Sequence, residues 1–500
     1  MTPRRFGLSK SKITLFEQCP KRLWLSVHRP ELAEETDSVR ASFAAGHAVG
    51  GFACELLPDG IMVSADDGLA AAAEHTTHVL QSGWQHPIFE ATFVHDGVLI
   101  RADILEPRAE AGTRGWHLAE VKNTTGAKAY HIGDIATQLW VMRQCGVDVR
   151  SAAVRHLDST FTLTHPGDYA GLFTDTDVIG LVEPIAAGRS VVVAEARATL
   201  AGSEPTREPG DHCDDPFTCS FKAYCNRHLP PPPEWPVSLL PDAAGKKVAR
   251  QLAAQGIASL IDAPAQAMPS PKLARVHHAT VTGEIWHDAD AIRRETADWA
   301  FPRIYLDFET IQFAIPRWIV TRPFSQVPFQ FSAHIETGAG ETGDGTMRHV
   351  EFLCADGSDP RRACAEALVK LPATGTVIAW NASFERQCLL GLASLFPDLA
   401  PALQSLADRL VDLLPVARRH YYHRDMRGSW SIKAVLPTLA EIGYDNLVEV
   451  KSGADAQSAY LEAIDPATDP TRADAIRDAL LDYCRRDTEA MVQVLAALTR

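Results

Sequence analysis

Three groups of residues in this sequence have types and spacings that can do chemistry. In "RIYLDFETI", strand alternation sets Asp307 and Glu309 on one face, and two carboxylates side by side on an otherwise apolar strand repel unless a cation lies between them. "TVIAWNASFERQCLLGL" reads as a strand, a turn at Asn381 and a helix carrying Glu385, and "LLDYCRRDTEAMVQVL" as a helix on which Tyr483 and Asp487 share a face. In the other half, Asp103, Glu120 and Lys122 are charged residues within strands. Glu120 and Lys122, two apart, point the same way, and Asp103 on a neighbouring strand can join them. Two such carboxylates would bind a hard divalent cation that polarises a phosphate and lowers the pKa of its water, while Lys122 stabilises hydroxide or developing charge. Strand charges paired only with one another would give the same letters. The third group is "HCDDPFTCSFKAYC", His212 to Cys225, which holds three of the ten cysteines and lacks a nearby fourth.

The elements that must position these groups fall into several domains, because 500 residues with 46% apolar content exceed one hydrophobic core. The proline run "HLPPPPEWP" closes a first domain, expected over residues 1–229. A Pro-rich linker and small helical connector follow over 230–298, and strand-like runs alternating with helical ones make 299–500 an α/β domain. Near the start, "SKSKITLFEQCPKRLWL" reads as one helix with Ile13, Phe16, Cys19 and Leu23 inward and Ser9 or Ser11 as cap. "IFEATFVHDGVLIRADILEP" reads as two strands joined at His95-Asp96-Gly97, with "GWHLAEVKN" a third. No signal segment and no run of about 18 apolar residues is visible, so a cytoplasmic protein without a membrane partner is expected. In that reducing compartment spaced cysteines mean metal, cluster or packing rather than disulfides. A formal net charge of -15 excludes a protein coated in basic surface but not a local basic groove. Such a groove is suggested by "RRHYYHRDMRGSWSIK", where Tyr421, Tyr422, Arg424 and Lys433 are candidate nucleic-acid contacts; ordinary surface residues would look the same. No G-x-x-x-x-G-K-[ST] loop is present to drive unwinding.

With "SFAAGHAVGGFACELL" placing His47 on a helix and "YHIGDIATQLWVMRQCG" placing Gln138 on another, the ordered set His47, Asp103, Glu120-x-Lys122, Gln138 resembles the RecB-like branch of the PD-(D/E)XK nucleases. The resemblance implies a restriction-endonuclease-like domain in which His47, Asp103 and Glu120 hold metal, Lys122 is a base or charge stabiliser and Gln138 orients. Met142 stands where that branch often has Tyr, and Glu90 in "IFEAT" is a further candidate for lining the site. Iron-sulfur nucleases of this branch, related to CRISPR-associated exonucleases and AddB, carry one cysteine before the core and three after it. Cys19, then Cys213, Cys219 and Cys225, match that order and imply a 4Fe-4S cluster. The C-x5-C-x5-C spacing also admits Zn2+, held by four cysteines or by three with His212 or His228, and cysteines that bind nothing. The C-terminal set resembles the DnaQ-like DEDD exonucleases of the RNase H-like fold. That likeness implies Mg2+ or Mn2+ on Asp307, Glu309, Glu385 and Asp487, with Tyr483 orienting or deprotonating water. Glu385 replaces the usual Asp, a change that nearby Asp412 would partly offset. The expectation is a two-headed nuclease acting on DNA, chiefly single-stranded ends, in repair or defence. An RNA-processing exonuclease and a nucleic-acid scaffold with an inactive head are the alternatives.

Overall fold

A computed structural model describes residues 7–34, 37–110, 113–338 and 346–500. The chain forms two units of mixed α/β structure: residues 1–230 with 313–325, and residues 231–312 with 326–500. The connector therefore belongs to the second unit, and a thirteen-residue excursion after "RIYLDFETIQ" belongs to the first.

The first unit is built on a seven-stranded sheet: β1 (Leu8–Ser9), β2 (Ile61–Met62), β3 (Ile88–His95), β4 (Val98–Glu110), β5 (Thr113–Lys122), β6 (Val149–Leu157) and β7 (Phe173–Asp177). The order is β2-β3-β4-β5-β6-β7, with β1 parallel to the start of β4. β3 and β4 meet at Asp96-Gly97, whose φ values of 45° and 64° suit a tight primed hairpin turn. Eight helices accompany the sheet: α1 (Lys10–Gln18), α2 (Pro20–His28), α3 (Asp37–Glu55), α4 (Leu69–Gln81), α5 (Ala129–Gln144), α6 (Ile179–Ala187), α7 (Arg189–Ala201) and the short α8 (Lys222–Asn226). Ile13, Ala72, Ile135, Val182 and Val193 place α1, α4, α5, α6 and α7 on one core, with Leu118 of β5. Val49 and Ala53 of α3 pack instead with Ala119 and Val121. Since alternate residues of a strand face opposite ways, Glu120 and Lys122 lie on the α5 side.

The single helix expected at the start is two. Pro20 disfavours helical backbone at the residue before it, so Cys19 is extended at φ -163°, and Ser9 accepts from Lys12 to cap α1.

The second unit carries helices α9 (Asp242–Ala254), α10 (Pro271–Thr282) and α11 (Ala289–Glu295), with β8 (Trp286–His287). Its main sheet is formed by β9 (Arg303–Ile311), β10 (Val327–Glu336), β11 (Met347–Leu353), β12 (Thr376–Ala379) and β13 (Leu410–Asp412), in the order β11-β10-β9-β12-β13. The first three are antiparallel, while β12 and β13 run parallel to β9. Ile304, Leu306 and Phe308 of β9 face a core supplied by α12 (Arg361–Leu368), α13 (Ser383–Leu395) and α14 (Ala400–Asp408). Asp307 and Glu309 therefore point to the other face, which is covered by α18 (Pro470–Leu498). Between lie α15 (Leu413–His420), β14 (Tyr421–Tyr422), α16 (Ile432–Val435) and α17 (Gly453–Ala463). The long α18 is capped by Asp469 with Pro470 in its first turn, and buries Ile476, Leu480, Val494 and Leu498; each such side chain contributes about 2 kcal/mol.

β14 pairs with β8, and Tyr421 and Tyr422 are buried, 1% and 0% exposed. The Tyr421 hydroxyl donates to Thr438 and that of Tyr422 accepts from the Gly428 amide. They are core residues, not stacking platforms, which corrects the sequence expectation. Arg424 is exposed and lies over the Trp235 ring, which joins the connector to this loop. Gly428, at φ 78°, sits against the connector backbone, where a Cβ would fall 1.8 Å from the Leu239 carbonyl oxygen. Gly428→Ala should therefore destabilise the second unit by roughly 3 kcal/mol, measured by denaturant unfolding.

Candidate functional site

The second unit brings its acidic residues together. Asp307, Glu309 and Asp487 place one carboxylate oxygen each within 4.8 Å of one another, the only such trio of metal-ligating side chains among the described residues. Glu385 adds to the electrostatic strain on Asp307, and its Oε2 is buried without a hydrogen-bond partner. Burial first, then repulsion by the neighbouring acids, raises the Asp307 and Glu309 carboxyls, with Glu309 pushed up to about 8, while burial alone raises Asp487 against the lowering pull of Tyr444, Lys433 and Tyr483. Burial and nearby Asp412 push Glu385 up to about 8 as well.

The surrounding groups hold these acids by hydrogen bonds. Tyr444 donates to Asp487 at 2.5 Å, and Lys433 donates to the Tyr483 hydroxyl at 3.0 Å while also reaching the Lys451 carbonyl. The Cys484 thiol lies 3.7 Å from an Asp307 oxygen. Lys433 is thus inside the site rather than on an outer groove. Asp412 accepts from the amides of Asn381 and Leu414, both at 3.0 Å, which secures the left-handed turn at Asn381 (φ 75°) and caps α15. Its role is to fix the turn that delivers Glu385. An all-oxygen set of buried acids with an orphaned oxygen fits hard divalent cations such as Mg2+ or Mn2+.

In the first unit, β4 and β5 pair from the hairpin end at Glu110–Thr113 as far as Ile104–Ala119 and then part. The Val121 amide, released from the ladder, donates to Asp103 at 2.8 Å, so Asp103 and Glu120 face each other where the strands diverge. Glu120 accepts from Lys122 at 2.8 Å, from Gln138 at 2.6 Å and from Lys10 at 2.6 Å. Burial alone would raise Glu120, but Lys10 and Lys122 outweigh it and hold the carboxyl well below the usual range. Asp103, buried beside Glu120, is pushed up to about 7. Burial would lower Lys122, but Glu120, Asp134 and Asp103 hold its ammonium above the ordinary lysine range, which suits charge stabilisation rather than proton abstraction. The buried Gln138 Oε1 has no partner, which leaves one oxygen beside the Glu120 carboxylate that could serve a hard cation. His47 does not join them: it is exposed on α3, which packs on the opposite face of β5. Met142 is core, and Glu90 pairs with Arg101 at 3.1 Å.

The four cysteines converge. Cys19, Cys213, Cys219 and Cys225 line one pocket with Arg22, Leu25, His212 and Phe221; His228 is not among these lining residues. Burial raises the Cys219 and Cys225 thiols, and the neighbouring sulfurs add to the shift. Arg22 Nε is buried beside them without an acceptor, which fits an anionic group in the pocket. No three of these sulfurs, with or without His212, have their atoms within 4.8 Å of one another.

Sequence reasoning missed Lys10, Asp134 and Tyr444. Asp134 lies four residues before Gln138 on α5, a signal that was present; Tyr444 falls in a segment without periodicity and gave none.

Residues 304–431 match the family model of a domain of unknown function, DUF2779. An uncharacterized protein of Mycoplasma genitalium, MG366, is 25% identical over 211 residues, covering 39% of this chain and 31% of the relative. The chain thus spans about a third of that relative's length.

Because the raised carboxyls of the second unit bind protons more tightly when folded than when unfolded, they oppose folding increasingly as pH rises from about 4 to about 8. A divalent cation that displaces those protons and binds the carboxylates should stabilise more at pH 8 than at pH 6. Differential scanning calorimetry with and without Mn2+ should show that trend, and Asp307→Asn should flatten it.

Proposed function

We propose that this chain is a metal-dependent nuclease with two hydrolytic heads, a RecB-like PD-(D/E)XK head in the first unit and a DEDD-type exonuclease head in the second. The observation that carries the reading is the trio Asp307, Glu309 and Asp487, brought together from β9 and α18, with Glu385, whose buried Oε2 has no hydrogen-bond partner, adding to the repulsion on Asp307. Mg2+ or Mn2+ held by these residues would supply Lewis-acid activation of water and neutralise the leaving 3′ oxygen. Tyr483, its oxygen held by Lys433, orients the attacking water, and Tyr444 keeps Asp487 aimed at the reaction centre. In the first unit Lys122 stabilises developing charge, and Gln138 fixes Glu120.

For the cysteine pocket the reading is a 4Fe-4S cluster that joins the start of the first unit to its end. Its support is the convergence of four cysteines on one pocket and the unpaired Arg22 Nε donor beside them. Single-stranded ends are the substrate proposed, since a free strand can be led past buried carboxylates.

Labelled single-stranded DNA and RNA, incubated separately with the protein and Mn2+, test the activity and the choice of polymer. Asp307→Ala should remove 3′-to-5′ degradation by at least about 100-fold and Lys122→Ala the residual cleavage, whereas strands left intact by the unmodified protein refute the proposal. Anaerobically purified protein should be brown, with about four irons per chain, and Cys213→Ser should bleach it; colourless protein with stoichiometric zinc overturns the cluster.

A further inference from the structure

The helix α1 connects two places in the first unit that the sequence alone keeps apart. At its first residue, Lys10 donates to Glu120 Oε1 at 2.6 Å, sharing that oxygen with Lys122. One turn on, the Thr14 hydroxyl donates at 2.7 Å to Asp134, which Lys122 also approaches at 3.5 Å. Glu17 pairs with Arg189, a side chain only 1% exposed that also donates to the Gly133 carbonyl of α5. At its last residue, buried Gln18 donates to the carbonyls of His212 at 2.8 Å and Phe217 at 2.6 Å, both within the cysteine loop, and Cys19 then enters the pocket.

Positions 10, 14, 17 and 18 share one helical face, so a single polar stripe about 13 Å long runs from Glu120 to the cysteine loop. Where a polar stripe is covered, as at Gln18, it has a cost unless its members are paired, and here each named side chain is. The Lys10 side chain keeps 20% exposure, so the stripe is not sealed from solvent at its Glu120 end. A surface ion pair would need none of this support.

We propose that Lys10 is a working residue of the first unit's site, a second lysine that fixes Glu120 and meets substrate phosphate, and that its position is set by the cysteine loop through Gln18. This rests on the nuclease reading of the first unit. The hold on Lys10 then passes through α1: Gln18, bonded to its two carbonyls, ties the helix to the cysteine loop while Lys10 is held at Glu120. When the loop loosens, both hydrogen bonds go and the helix end is free to shift.

The test uses the full chain in an Asp307→Ala background, so that only the first unit can cut, with Mn2+ and end-labelled single-stranded DNA. Lys10→Met should lower kcat about 10-fold or more with iron content unchanged, and Lys10→Arg should recover much of the loss. Gln18→Ala, which leaves all four cysteines in place, should lower kcat in the same direction with iron retained. Removing iron by chelation should speed amide exchange across residues 10–18 while β4 and β5 remain protected. Full activity in Lys10→Met overturns the proposal alone, as does loss of iron in that variant with no recovery in Lys10→Arg. Absence of any cleavage in the Asp307→Ala protein overturns the first unit's nuclease reading and this proposal with it.

Discussion

Burying carboxylates close together is the constraint on which the second unit depends. Asp307 and Glu309 share one face of β9, and Asp487 is brought against them by α18, with repulsion and desolvation both opposing the arrangement. The apolar opposite face of β9 and the long buried stripe of α18 offset that cost. Gln330 donates to the Leu480 carbonyl and Ser332 bonds Thr488, so the polar side of the sheet is tied to α18 at two levels around the acids. Stability in the body of the unit is what permits strain at its centre.

The first unit resolves a similar conflict differently. There the acids are answered by cations from the chain itself, Lys10 and Lys122 on Glu120, and by a backbone amide on Asp103. The parting of β4 and β5 makes this possible, since a paired strand would have no free amide to offer.

Much of this organisation was legible in the sequence because it is local. Strand alternation put Asp307 with Glu309 and Glu120 with Lys122, and helical spacing put Tyr483 with Asp487, all from neighbours within four residues. The break at the proline run was equally visible and falls at Pro230. What escaped depended on contacts distant in sequence. Lys10 meets Glu120 across 110 positions and Tyr444 meets Asp487 across 43, and no periodicity encodes either. Tyr421 and Tyr422 misled because an aromatic next to arginines has the same letters whether it lies on the surface or in a two-stranded ribbon. His47 lies on a helix as read, but only tertiary packing decides which face of the sheet that helix covers.

The excursion of residues 313–325 bears on how such a chain could have arisen. Leu163 exchanges backbone hydrogen bonds with Val320 and Thr321, and Ala314 and Ile315 join the core beneath α3, so part of the first unit is encoded inside the second, between β9 and β10. The backbone passes from one unit to the other three times, not once. Severing the gene at the proline run would leave the first unit without residues 313–325 and would leave the second carrying a segment whose packing partners are gone, so the two halves are not freely separable modules.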